Sequence, residues 1–98
     1  MNQFGKKIKE LRLKFGLLQN DVASELNIDA PMLSKIENGT RQIRREQISI
    51  LEKMFNKNKD ELLVLWLSDR ILDVIKDERL ANKAIELADK NINIKNNI

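Results

Sequence analysis

Ninety-eight residues suffice for one domain, or for a small domain with an extension. A chain that is 34% charged and 42% hydrophobic suits a soluble, mostly helical fold; without cysteine or histidine it lacks disulfides, thiolate and imidazole catalysis and the usual zinc, haem and iron–sulfur ligands. The net charge of +3 is uneven: residues 1–59 carry twelve Lys/Arg against seven Asp/Glu (+5) and residues 60–98 six against eight (−2), as in a polyanion-binding head with a non-binding tail.

Phe4, Ile8, Leu11 and Phe15 recur at helical spacing, which predicts a first amphipathic helix over residues 2 to about 15. Lys6, Lys7, Lys9 and Lys14 lie off that stripe, and Gly16 is placed to end the helix. A second helix runs from Gln19 to about Leu26, with Val22, Ala23 and Leu26 on its apolar face. Asn27 then occupies a turn, where a left-handed backbone is expected and Asn tolerates it best after Gly. Asp29 is an N-cap for a third helix, Ala30 to about Glu37, and Pro31 falls in its first turn, where a missing N–H costs nothing. Leu33 and Ile36 are its apolar residues and Gly39 ends it. The stretch from Gln19 to Arg41 thus has the layout of two short helices at a fixed angle, able to present the second to the major groove of DNA. A fourth helix follows over about Arg45 to Phe55, with Ile48, Leu51 and Phe55 on one face, and residues 56–58 form a polar connection.

Residues 60–76 contain neither Gly nor Pro and read as one long helix, apolar on every side from Leu62 to Leu67. Such a helix must be buried all round, so four short helices on one side leave the other to a further helix, a second subunit, or both. A further helix is predicted over residues 78 to about 91, with Leu80, Ala84, Leu87 and Ala88 on one stripe, and the Asn-rich end is expected to fray. The expected organisation is a DNA-binding domain over 1–58, a helical extension over 59–92 serving dimerisation, and a frayed tail over 93–98. The longest apolar run has six residues, whereas a membrane span needs about twenty. The start of the chain also lacks the apolar segment of a signal peptide, so a cytoplasmic protein with no membrane partner is expected.

Residues 4–55 resemble the Cro/repressor (Xre-like) class of helix-turn-helix domains. Gln19 opens the second helix after Gly16-Leu17-Leu18, and Ala23 is small where the two helices touch. Ser34, Ile36, Glu37 and Gly39 match the family's run at the end of the recognition helix, and Arg12 stands where the family has an arginine paired with the glutamate matching Glu37. The chain departs from the pattern at Leu18, where a Thr or Ser cap is usual, at Asn27, where Gly is common, and at Ile43, where Pro is frequent. The resemblance implies an all-α, lambda-repressor-like bundle of four to five helices plus a C-terminal helical dimerisation extension, of the kind small autoregulatory and restriction–modification controllers use.

It also implies a homodimeric, sequence-specific transcriptional regulator that reads an inverted repeat in double-stranded DNA. By that resemblance Gln19 contacts a phosphate, and Ala30, Pro31, Met32, Ser34 and Lys35 present the reading face. Lys35 and Ser34 offer hydrogen bonds, and Ala30, Pro31 and Met32 offer apolar contact to thymine methyls. With no Arg, Asn or Gln among the five, specificity is expected to lean on methyl contacts and DNA shape. Asn38, Thr40, Arg41 and Arg44 are expected at phosphates, with Arg45 instead turned toward the fourth helix. Arg12 and Glu37 are assigned to a structural pair. Leu62, Leu63, Trp66, Leu67, Ile71 and Val74 are assigned to a dimer interface, with core packing as the alternative for Trp66 and its neighbours.

No cofactor, metal site or small-molecule effector is expected. An alternative function is a protein-interaction module, such as an antitoxin or adaptor, whose apolar C-terminal helix binds a partner protein. An enzyme is disfavoured because no nucleophile–base pair or metal set is present. Asp69, Asp73 and Asp77, four residues apart on one helix face, read as a solvated stripe rather than a cation site.

Overall fold

The computed structural model describes residues 2–58 and 60–96. Among them it contains six helices and no strand: α1 (Gln3–Lys14), α2 (Gln19–Glu25), α3 (Ala30–Glu37), α4 (Arg45–Met54), α5 (Glu61–Ile75) and α6 (Ala81–Asn96). The first five build one bundle around one core. Ile8 and Leu11 of α1, Val22 of α2, Leu33 of α3, Leu51 of α4 and Leu62 of α5 are all buried in it. Trp66 closes that core, its indole N–H donating to the Ile43 carbonyl at 3.1 Å.

The local signals act as their chemistry dictates. Asn27 has φ 58°, the left-handed turn between α2 and α3. The Asp29 carboxylate accepts the Met32 N–H at 2.8 Å, satisfying one of the free donors of α3. Leu18 has no cap oxygen to offer α2, and Asp21 in the first turn compensates by accepting the Leu18 N–H at 2.7 Å. Gln47 does the same for α4, accepting the Arg44 N–H at 2.8 Å while its amide donates to the Leu26 carbonyl at the end of α2.

The long helix departs from its sequence reading. Leu62, Trp66 and Asp69, at steps of four and three, face the bundle, and α5 lies against α1 and α4. Leu62 and Trp66 therefore belong to the chain's own core and are withdrawn from the expected dimer interface, while Leu63 is half-buried against that core. For the same reason a boundary at residues 58/59 does not separate two cores. The opposite side of α5 carries Val64, Leu67, Ile71 and Val74, all exposed, with Val74 at 78%. Asp69 is buried at 6% exposure, so the carboxylate stripe is not uniformly solvated.

The last helix starts at Ala81 rather than 78 and continues through Asn96. Of the tail expected to fray, residues 93–96 are helical, and residues 97 and 98 lie outside the described residues. The stretch 81–96 contains no Gly or Pro, and helical hydrogen bonds are local, so a polar, Asn-rich end does not by itself stop the helix. Ala81 is half-buried and the side chains of residues 82–94 are exposed.

Candidate nucleic-acid interface

The pair α2–α3 is fixed from behind by a buried ion pair. The Arg12 guanidinium grips Glu37 in two places, Nε to Oε2 at 2.7 Å and Nη2 to Oε1 at 3.2 Å. Its third nitrogen, Nη1, donates to the Leu17 carbonyl at 3.1 Å, and the Gln19 amide donates to Glu37 Oε1 at 3.1 Å. One carboxylate thus ties α1, the start of α2 and the end of α3 together. Burying two charges is costly unless their hydrogen-bonding capacity is filled, as it is here. Gln19, half-buried, contributes to this knot and leaves the helix start beside it at the surface.

Two contacts behind α3 escape the periodicity of the sequence. The Asn2 amide donates to the Glu37 carbonyl at 3.0 Å, satisfying the end of α3. At Gly5, α1 crosses so closely that a Cβ would run into the backbone oxygens of Ile36 and Glu37. A glycine inside a helical pattern is the available sequence signal for such an approach. Asp69, which accepts two N–H groups at the start of α1, carried no comparable signal.

With Leu33, Ile36 and Glu37 turned inward, the other side of α3 is open. Pro31 and Lys35 are exposed, while Ala30, Met32 and Ser34 are half-buried and Met32 packs against the core. Gly39, at φ 87°, turns the chain out of the helix, where a side chain would be strained. The Thr40 N–H folds back on the Lys35 carbonyl at 2.9 Å and the Arg41 N–H on the same oxygen at 3.3 Å. Thr40 Oγ1 donates to Asn38 Oδ1 at 2.9 Å, so the loop is pinned by its own polar groups. Those two N–H groups are spent on the turn, which leaves side chains to face an incoming phosphate there. Asn38, Thr40, Arg41 and Arg44 are all exposed along this edge. Arg45 is exposed as well, rather than turned in on α4. Arg44 Nε lies 3.8 Å from Glu46, a solvent-screened pairing that leaves it available.

Two short helices, one locked from behind and the next exposed beside an arginine-bearing loop, define a helix-turn-helix reading head. A helix-turn-helix family model matches residues 8–62, more than half of the chain, and the chain belongs to that family, in its Cro/repressor-like class. Membership of that family makes it a DNA-binding regulator of transcription. Among solved structures, the wild-type restriction-modification controller protein C.Esp1396I matches with a TM-score of 0.54 and 22% identity, over 68% of this chain and 86% of that one. At that identity the likeness speaks to the fold. A search of curated proteins found no match. Among the described residues, no helix is long and apolar enough to cross a membrane, and no group of His, Cys, Asp or Glu is arranged to hold a metal ion.

Proposed function

We propose that the chain acts as a homodimer on an inverted-repeat operator, with α3 of each copy in the major groove. The carrying observation is the division of α3: Leu33, Ile36 and Glu37 are sealed into the bundle while Pro31 and Lys35 stand free. Lys35 and Ser34 supply hydrogen bonds to base edges or phosphate, and Ala30, Pro31 and Met32 supply apolar contact to thymine methyls. Gln19, Asn38, Thr40, Arg41 and Arg44 flank this face and set its register on the phosphates.

The second copy docks on the uncovered side of the C-terminal helices. Leu67, Ile71 and Val74, together with Val64, are exposed on α5, and Leu80, Ile85, Leu87 and Ile92 are exposed on or beside α6. Of these, Val64, Leu67, Ile71 and Ile85 line one apolar groove between α5 and α6, and exposed apolar surface of this kind marks an interface. To read an inverted repeat, a two-fold pair has to hold its two reading heads one helical turn apart, about 34 Å. Selection of bound duplexes from a random pool tests the proposal. It should return a two-fold symmetric site with half-sites one turn apart, and recovery of random sequence at physiological salt would sink it.

The same uncovered apolar side of α5 also fits a partner protein, as in an antitoxin or adaptor. Light scattering on the pure chain separates the two readings. A stable dimer supports the first, and a monomer or aggregating chain supports the second.

A further inference from the structure

We infer that Asp69 is a positioning residue that fixes the angle between the docking side of α5 and the reading helix α3, an inference that rests on the dimeric reading above. Both oxygens of its carboxylate accept main-chain N–H groups from the first turn of α1, Gln3 at 3.0 Å and Phe4 at 2.9 Å. The first N–H groups of a helix have no partner within the helix and carry the positive end of its dipole. A carboxylate buried at 6% exposure is tolerable where two such donors meet it.

The same turn of α1 touches α3 on its other side. Asn2 donates to the Glu37 carbonyl, and Gly5 sits against the backbone oxygens of Ile36 and Glu37. One turn of α1 is therefore held between Asp69 of α5 and the last turn of the reading helix. A second link joins α5 to the loop that leaves α3. Trp66 donates to the Ile43 carbonyl, the Arg70 guanidinium lies 4.7 Å over the Trp66 ring, and Arg70 also donates to Gln42 Oε1 at 3.3 Å. The Gln42 amide in turn donates to Asp73 at 3.4 Å. The exposed apolar residues Leu67, Ile71 and Val74 border these links, lining one groove with Gln42, Arg70 and Asp73.

An apolar residue at position 69 would still pack against α1, but it would leave the Gln3 and Phe4 N–H groups without their acceptor. What two short hydrogen bonds add is direction. They set the rotation of α5 against the end of α1, and apolar packing alone would let it slide. In a dimer joined through α5, that rotation sets the distance and phase between the two reading helices.

The test is equilibrium binding of the full chain to three duplexes: the selected site, the same site with two base pairs inserted between its half-sites, and a lone half-site. The insertion rotates one half-site by roughly 70° and moves it by about 7 Å, so the wild-type chain should lose about a hundredfold. Asp69→Ala should lose about tenfold on the selected site, lose less than about threefold more on the insertion, and match the wild type on the half-site within about twofold. If Asp69→Ala melts below the assay temperature, Asp69→Asn decides; it keeps one acceptor oxygen and should lower the ratio between the two full sites part of the way. A folded variant that keeps the wild-type ratio overturns the role of Asp69 and leaves the dimeric reading standing. A wild-type chain indifferent to the insertion overturns both.

Discussion

The eight residues of α3 bury three side chains, whereas the sixteen residues of α6 bury none among those described. The shorter helix is the better supported. Its N-cap is filled by Asp29, its end is held by Asn2 and Gly39, and Glu37 ties it to Arg12. α6 has Ile85 beside a shallow apolar groove lined by Val64, Leu67, Ile71 and Leu72 of α5, and little else. Isolated helices of such length are marginal in water, and most helical stability comes from packing an apolar face. The contrast separates a head packed within one chain from a last helix whose side chains are mostly exposed.

The sharpest way to break that contrast is to undo the head. Arg12→Ala leaves Glu37 buried with the Gln19 amide as its remaining side-chain donor. It should cost about 3–5 kcal/mol in urea denaturation. A loss below about 1 kcal/mol would mean that the pair is solvated on removal and that the head is looser than its geometry suggests. Next in size, Leu62→Ala should cost about 2–5 kcal/mol, with no dependence on protein concentration, because Leu62 lies in the core of the same chain. A cost that vanishes on dilution would return Leu62 to the interface between copies.

Two smaller effects test the reading face and its support. Gly5→Ala puts a methyl group against the backbone of Ile36 and Glu37, which cannot move aside without shifting α3. It should destabilise by about 1–3 kcal/mol in the same denaturation experiment, and an unchanged midpoint would show the crossing to be slack. Lys35→Ala should weaken binding to the selected site by about 1–3 kcal/mol if Lys35 reads a base. An equal loss on random duplex, measured by titration at fixed salt, would make it a phosphate contact instead.

The same contrast explains how much was legible in the sequence. Helices α1 to α4 announce themselves through local features: apolar steps of three and four, Asn27 in the turn, Asp29 and Pro31 at a helix start. Those signals depend on neighbours within a few residues. The orientation of α5 depends on what arrives from far along the chain. Its run from Leu62 to Leu67 is apolar all round, so periodicity could not tell Leu62 and Trp66 on the inner side from Val64 and Leu67 on the outer. Asp69 looked like one of three spaced carboxylates because its partners, the N–H groups of Gln3 and Phe4, lie more than sixty residues away. At residues 93–96, which are helical, the polar composition contains nothing that breaks a helix. In the reading head, a glycine inside a helical pattern was the one clue to the tight crossing at Gly5.

Val74→Asp should have the smallest effect on folding and still decide between the two regions. Val74 is 78% exposed on the outer side of α5, and a polar change at such a site normally moves folding stability by no more than about 0.5 kcal/mol. A charge there is hydrated in the monomer and would be stripped of water in a pair of copies joined through this side of α5. The variant should therefore melt like the wild type under conditions where both are monomeric, scatter light as a monomer where the wild type is a dimer, and lose affinity for a full site but not for a half-site. An unchanged dimer would move the contact away from Val74 toward Leu80 and Leu87, and a matching fall in monomer stability would show that this end of α5 belongs to the head after all.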